Sequence, residues 1–223
     1  MIEIHTLLIG QPQTITDERG SWRSAIFRQP VAGPVRLSER GLAGDQVADT
    51  EHHGSPGQAV CCHPLAHFEA WNEDYGLEGA TRLGPGAVGE NWTLAGATER
   101  EVCVGDTYRV GAALVEVSGP RYPCTKQERK LGLADFHKRT IATLRTGFYL
   151  RVLEPGLVAA GDRLELVRRP HPEITVHQIN VWGHHEPEPD GVRRALELPE
   201  LAPVWKYVLQ VKLKALEGDG ASA

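Results

Sequence analysis

The chain has 223 residues, a net charge of −5, and 24 glycines beside 15 prolines. With 41% hydrophobic and 24% charged residues and a mean hydropathy of −0.31, the composition is globular and excludes disorder, collagen and coiled coil. A pI of about 6.1 argues against a general binder of nucleic acid or of an anionic membrane.

The many glycines and prolines predict turns and short strands, hence a β-rich fold, mostly β with some α. Residues 1–9 predict a first strand and show no basic region or small-residue cleavage site of a signal peptide. Trp22–Arg28 and Gly33–Ser38 predict the second and third strands. The loop from Gly41 to Gln58 carries Gly44, Asp45, His52, His53, Gly54 and Gly57. Ala59–Cys62 predicts a short buried strand in which Cys61 and Cys62 point to opposite faces. Four cysteines are too few for a disulfide scaffold and suit free thiols in a reducing cytoplasm. From Pro64 to Tyr75, Leu65, Phe68 and Trp71 line one helical face, and Gly76 is the stop. Short strands are expected over 90–94, 102–104, 108–110 and 113–117. Helix follows Cys124 as far as Gly147, then strands over 148–153 and 163–167. Pro170 and Pro172 mark a boundary between a body of residues 1–168 and a helical unit of residues 173–216. That unit reads as helices over 175–184, 190–198 and 201–216. Leu201, Val204, Trp205, Val208, Leu209 and Leu216 form a stripe expected to pack against the body. Left exposed, the stripe would serve a homodimer or another partner. No apolar run approaches the roughly 20 residues that span a bilayer.

The densest chemistry lies around Cys124. The stretch Ser118-Gly-Pro-Arg121-Tyr-Pro-Cys124-Thr-Lys126-Gln-Glu128 follows a strand, and Thr125 with Glu128 has the spacing of a capping box. Cys124 would then sit at a helix N-terminus beside Arg121 and Lys126, which favours a thiolate. Such a thiolate is a nucleophile or a soft metal ligand; the alternative is a buried cysteine used as a small hydrophobe. Between Arg121 and Arg151 eight basic residues face two acidic ones. That concentration points to one anionic ligand such as a phosphate, or else to a solvated helix face. Arg151, in the apolar run Phe148–Leu153, needs a partner or a cavity.

The chain resembles MOSC-domain proteins, the family named after the C-terminal part of molybdenum cofactor sulfurase, and most of all its stand-alone bacterial YiiM-like branch with three C-terminal helices. The resemblance is carried by Gly41-Leu-Ala-Gly-Asp45, His53-Gly54-Ser55-Pro56, Gly89-Glu90-Asn91, Gly105-Asp106, Arg121-Tyr-Pro-Cys124-Thr-Lys126, Gly147-Phe-Tyr-Leu-Arg151 and Gly161-Asp162. It implies a barrel-like β body with a small C-terminal helical bundle. It also implies a molybdenum cofactor (molybdopterin) held by Cys124 and reduction of N-hydroxylated bases. On this reading Cys124 ligates the metal, and Arg121, Lys126 and Arg151 hold the phosphate. Gly54, Glu90 and Asn91 complete the cofactor site. His53 is the general acid, and Asp45 or Glu90 orients it or binds the substrate amine. Gln58 stands where the family pattern commonly has a cation.

Three functional classes follow: a molybdenum-dependent reductase, a carrier of persulfide sulfur on Cys124, and a non-catalytic cofactor-binding module. No P-loop is present, and Gly84-Pro-Gly-Ala-Val-Gly89 opens a strand rather than a helix, so electrons are expected from a separate redox protein. Cys61, Cys62, His63 and His67 cluster like zinc ligands, but the adjacent cysteines diverge and Pro64 interrupts, so packing is the expected role.

Overall fold

The computed structural model describes residues 1–50 and 54–219. The chain runs through β1 (Ile2–Ile9), β2 (Gln13–Asp17), β3 (Gly20–Ser24), β4 (Gln29–Pro30), β5 (Val35–Ser38), β6 (Gly41–Leu42) and β7 (Val60–Pro64) to α1 (Ala66–Tyr75). Then come β8 (Trp92–Ala95), β9 (Thr107–Val110), β10 (Ala113–Pro120), α2 (Lys126–Leu131), α3 (Phe136–Thr143), β11 (Phe148–Glu154), β12 (Gly156–Val158) and β13 (Arg163–Arg168). Three helices end it: α4 (Val176–His184), α5 (Pro189–Glu197) and α6 (Pro203–Asp219).

Seven strands close into a barrel in the order β1, β13, β9, β10, β11, β7, β8 and back to β1. All these pairings are antiparallel except β7 with β8. Parallel neighbours need a long crossover, and α1 lies on it. Gly76 ends α1 at φ 60°, as its position predicts. The barrel interior follows strand alternation: in β11, Phe148, Leu150 and Val152 enter the core, joined by Val115, Val117, Val60, Cys62, Trp92 and Leu94. Tyr149 and Arg151 therefore face outward. Tyr149 pairs with Cys61 across β11 and β7, and the outer face of that ladder is the floor of the site.

The three C-terminal helices surround a core of their own, built on Ile179, Trp182, Val192, Ala195, Leu198, Leu201, Trp205 and Leu209, with Val104 of the body included. Thr175 caps α4 by accepting from Gln178 N, and Glu188 caps α5 by accepting from Asp190 N and Gly191 N.

Several expectations need correction. The second strand stops at Ser24, because residues 25–28 turn in toward the site. Val102–Val104 is no barrel strand: Cys103 bridges only to Thr175 in the segment leading to α4. Leu201, just before α6, is buried with Trp205 and Leu209 of that helix, but Val204 and Leu216 are exposed, so the buried stripe is narrower than expected. His184 ends α4, in keeping with the helix expected over 175–184, and its ring sits 5.4 Å from that of Trp205.

Candidate functional site

A cleft of about 440 Å³ opens on the outer wall of the barrel, within the usual size for a small-molecule or cofactor site. Cys61 and Tyr149 form its floor. Ser24–Ile26 and Arg28 make one wall, residues 45–49 with Gly54, Pro56 and Gln58 another, and Arg121, Cys124 and Lys126 close one end. No helix among the described residues is long and apolar enough to cross a membrane.

Arg28, Asp45 and Asn91 build this cleft from within. Asp45 Oδ1 accepts from Gly10 N at 2.7 Å and Arg28 Nε at 2.9 Å; its Oδ2 accepts from Arg28 Nη2 at 2.8 Å and Asn91 Nδ2 at 3.0 Å. Arg28 also donates through Nη1 to Gly89 O at 2.7 Å. Asn91 is tied to the floor, donating its backbone N–H to Cys61 O at 2.7 Å and accepting from Cys61 N at 3.1 Å through Oδ1. Gly89, at φ 76°, passes so close to this wall that an added Cβ would lie 2.3 Å from Ile26 Cγ1. Only glycine fits there.

At the closed end Arg121 is buried. Its Nη2 donates to Val88 O at 2.8 Å, whereas its Nη1 has no partner. Lys126 enters no ion pair among the described residues. Cys124 is partly exposed and free, and Cys61 is free but buried. Burial pushes the Cys61 thiol up against the pull of Arg121 and Arg28, and burial likewise raises Tyr149. The closed end thus offers a soft sulfur donor beside two cations, one desolvated with an unused donor.

A family model described as the MOSC domain matches residues 49–165. The chain is 36% identical over 202 residues to the uncharacterized protein YflK of Bacillus subtilis (strain 168), covering 90% of each. This chain belongs to the MOSC family. It is also 37% identical over 161 residues to a protein of Gibberella moniliformis named a reductase, covering 72% of this chain and 28% of that one. A crystal structure of YiiM from Geobacillus stearothermophilus superposes with a TM-score of 0.80 at 35% identity, covering 96% of this chain and all of that one. The MOSC family is associated with molybdenum-cofactor binding.

Of the residues that the MOSC resemblance singled out, Asp45, Gly54, Asn91, Arg121, Cys124 and Lys126 line the one cleft. His53 lies outside the described residues. Arg151 is not among the lining residues. Its Nη2 donates to Glu200 O at 2.6 Å and its Nη1 lies 3.5 Å from Glu116, so its outward side chain is spent on the segment between α5 and α6. Glu90 is also off the cleft, fully buried, with Oε1 accepting from Gly86 N and Thr93 Oγ1. Asp45 lines the cleft, but both its oxygens are occupied by the wall.

The capping box does not form: Thr125 makes no side-chain cap, and Glu128 accepts from His137 N near the start of α3. At six residues α2 is also too short for the dipole argument. The basic run mostly disperses. Arg129 pairs with Asp17, Arg145 with Asp74 and Lys138 with Asp135. Lys130 donates to Ile26 O and Gly86 O, and burial pulls it down to about 8. His67 pairs with Glu99 at 2.7 Å. Among the described residues no group of three His, Cys, Asp or Glu could hold a metal.

Sequence reasoning passed over Arg28, Arg40, Cys61 and Tyr149 as parts of the site. The usable signal was Arg28 at the end of Ala25-Ile26-Phe27, a charge after an apolar run and so in need of a partner.

Proposed function

We propose that this cleft holds a molybdenum cofactor through Cys124 and that the protein is an oxidoreductase acting on N-hydroxylated compounds. The observation that supports it is the convergence of the Cys124 thiol, the buried Arg121 with its unpartnered Nη1, and Lys126 at one end of a cleft of about 440 Å³. A sulfur donor suits a soft metal. Arg121 and Lys126 suit a terminal phosphate, with Lys126 as a point charge. Gly54 and Gly89, both with positive φ, let the cleft walls pack tightly on Val47 and Ile26. The residues therefore fit the group. When bound, the molybdenum cofactor supplies two-electron redox chemistry.

Around it, Cys124 anchors, Arg121 and Lys126 neutralise charge, and the Arg28–Asp45–Asn91 wall keeps the cleft open and shaped. Reduction of N–OH to N–H uses two electrons and two protons and releases water. His53 remains our proton donor on the sequence pattern. The electrons come from a separate redox protein, in keeping with a reductase-named relative of which this chain covers only 28%.

The test is metal and pterin analysis of protein made in a cofactor-competent host, with Cys124→Ala as control. We expect near-stoichiometric molybdenum in the wild type and none in the variant. Molybdenum absent from the wild type, or equal in both, refutes the reading. A one-sulfur mass gain on Cys124 without molybdenum would favour a sulfur carrier instead.

A further inference from the structure

One short stretch, residues 200–205 between α5 and the first turn of α6, reaches both loops that wall the cleft. Toward the Cys124 loop, Ala202 N donates to Ser118 O at 2.8 Å and Trp205 Nε1 to Pro120 O at 2.6 Å. The fully buried Trp205 ring lies 5.8 Å from that of Tyr122. Gly119, at φ 136°, passes so near that an added Cβ would sit 3.2 Å from Leu201 and 3.3 Å from Trp205. Toward the opposite loop, Gly57 approaches Ala202, with 3.7 Å from an added Cβ to the Ala202 Cβ, and its carbonyl accepts from Ser118 Oγ. The stretch is itself anchored on the barrel. Arg151 donates to Glu200 O, and the Glu200 carboxylate meets Arg168 at 3.1 Å and His171 at 3.3 Å.

We infer that residues 200–205 are a brace holding the Cys124 loop in register with the opposite wall, and that Trp205 and Arg151 are positioning residues acting on Cys124. The functional meaning rests on the proposed cofactor site; the mechanical claim does not. A ligating thiol must be held to within about half an ångström by its supporting shell. Ser118–Pro120 are the end of β10, paired on one side with Tyr149 and Phe148 of β11, and residues 200–205 hold that strand end from outside, where the non-helical turn to Cys124 leaves it. Arg151, which the sequence suggests as a phosphate clamp, instead clamps the brace.

The test uses cofactor-free protein. Hydrogen exchange is followed over residues 118–127, and iodoacetamide alkylation of Cys124 by peptide mass spectrometry. Trp205→Phe keeps most of the ring and removes its donor; Arg151→Met frees the Glu200 carbonyl. Each is expected to change exchange and alkylation by about three- to tenfold, the effect of losing one hydrogen bond. Arg151→Lys, which keeps a donor, should return most of the wild-type behaviour. Leu209→Ala destabilises the same helical core without a hydrogen bond to either loop, and should leave the Cys124 rate as in the wild type. The inference is overturned if Trp205→Phe and Arg151→Met match the wild type at Cys124, or if Leu209→Ala changes it equally. Wild type without molybdenum would defeat the proposed function and leave this result standing.

Discussion

Replacing Asp45 by alanine decides whether that carboxylate builds the cleft or works in it. Its two oxygens accept four hydrogen bonds, two of them from Arg28, and the paired side chains are only 11% and 10% exposed. Removing it leaves a nearly buried guanidinium with one remaining bond, to Gly89 O. Breaking a buried pair from one side costs about 3–5 kcal/mol, a large share of a typical stability of about 5–15 kcal/mol. In a chain of this size that lowers the melting temperature by about 6–20 °C. Denaturant and thermal unfolding followed by circular dichroism would measure it. The double variant Asp45→Ala with Arg28→Met removes both charges and should lose less than the two single losses added together. A loss under about 1 kcal/mol for Asp45→Ala, together with loss of activity, would refute this account and restore the chemical role expected from the sequence.

Burial, with help from His185, Lys212 and His137, holds His184 down to about 4 against its ordinary 6.5. The unfolded chain therefore takes up a proton between those values that the folded one refuses, and stability should fall as the pH drops through that window. His184→Gln should flatten that part of a stability–pH curve. Gly89→Ala places a Cβ against Ile26 at positive φ and should cost at least about 2 kcal/mol, read by denaturant titration. Lys126→Ala should leave folding intact and weaken cofactor retention by about 1.5–3 kcal/mol if it meets a phosphate, read by equilibrium binding. Cys103→Ala should leave molybdenum content unchanged, since its sulfur packs against Pro172 O away from the cleft.

Local rules made much of the molecule legible. The apolar run at 148–153 was read correctly as a strand, Gly76 was read correctly as a helix stop, and the divergence of Cys61 from Cys62 put one thiol in the cleft and the other in the barrel. What failed was the choice among partners far apart in sequence. Arg151 in an apolar strand was rightly read as needing a partner, but that partner is Glu200, 49 residues away. Glu128 has the spacing to cap its own helix and caps the next one. The basic run from Arg121 to Arg151 looks like one patch along the chain, yet the fold sends half of its charges to separate acids and Lys130 and Arg139 to carbonyl oxygens, leaving Arg121 and Lys126 at the site. Arg28 and Asp45 are 17 residues apart, with no periodic pattern to announce their pairing.

The barrel closes by pairing Ile2 with Leu164 and Glu3 with Arg163, so its first strand waits for its last. During synthesis at about 5–20 residues per second, β1 remains a strand with an open edge for several seconds or more before β13 emerges. Contacts this distant in sequence fold slowly, and an unpaired apolar edge is an invitation to wrong neighbours. In the finished protein β8 covers the other edge of β1 through Ile4 with Leu94 and Leu7 with Trp92. That partner is available some 70 residues sooner, which makes the β1–β8 pair the natural guardian of the nascent chain and damage to it a route to aggregation rather than to a milder loss of stability.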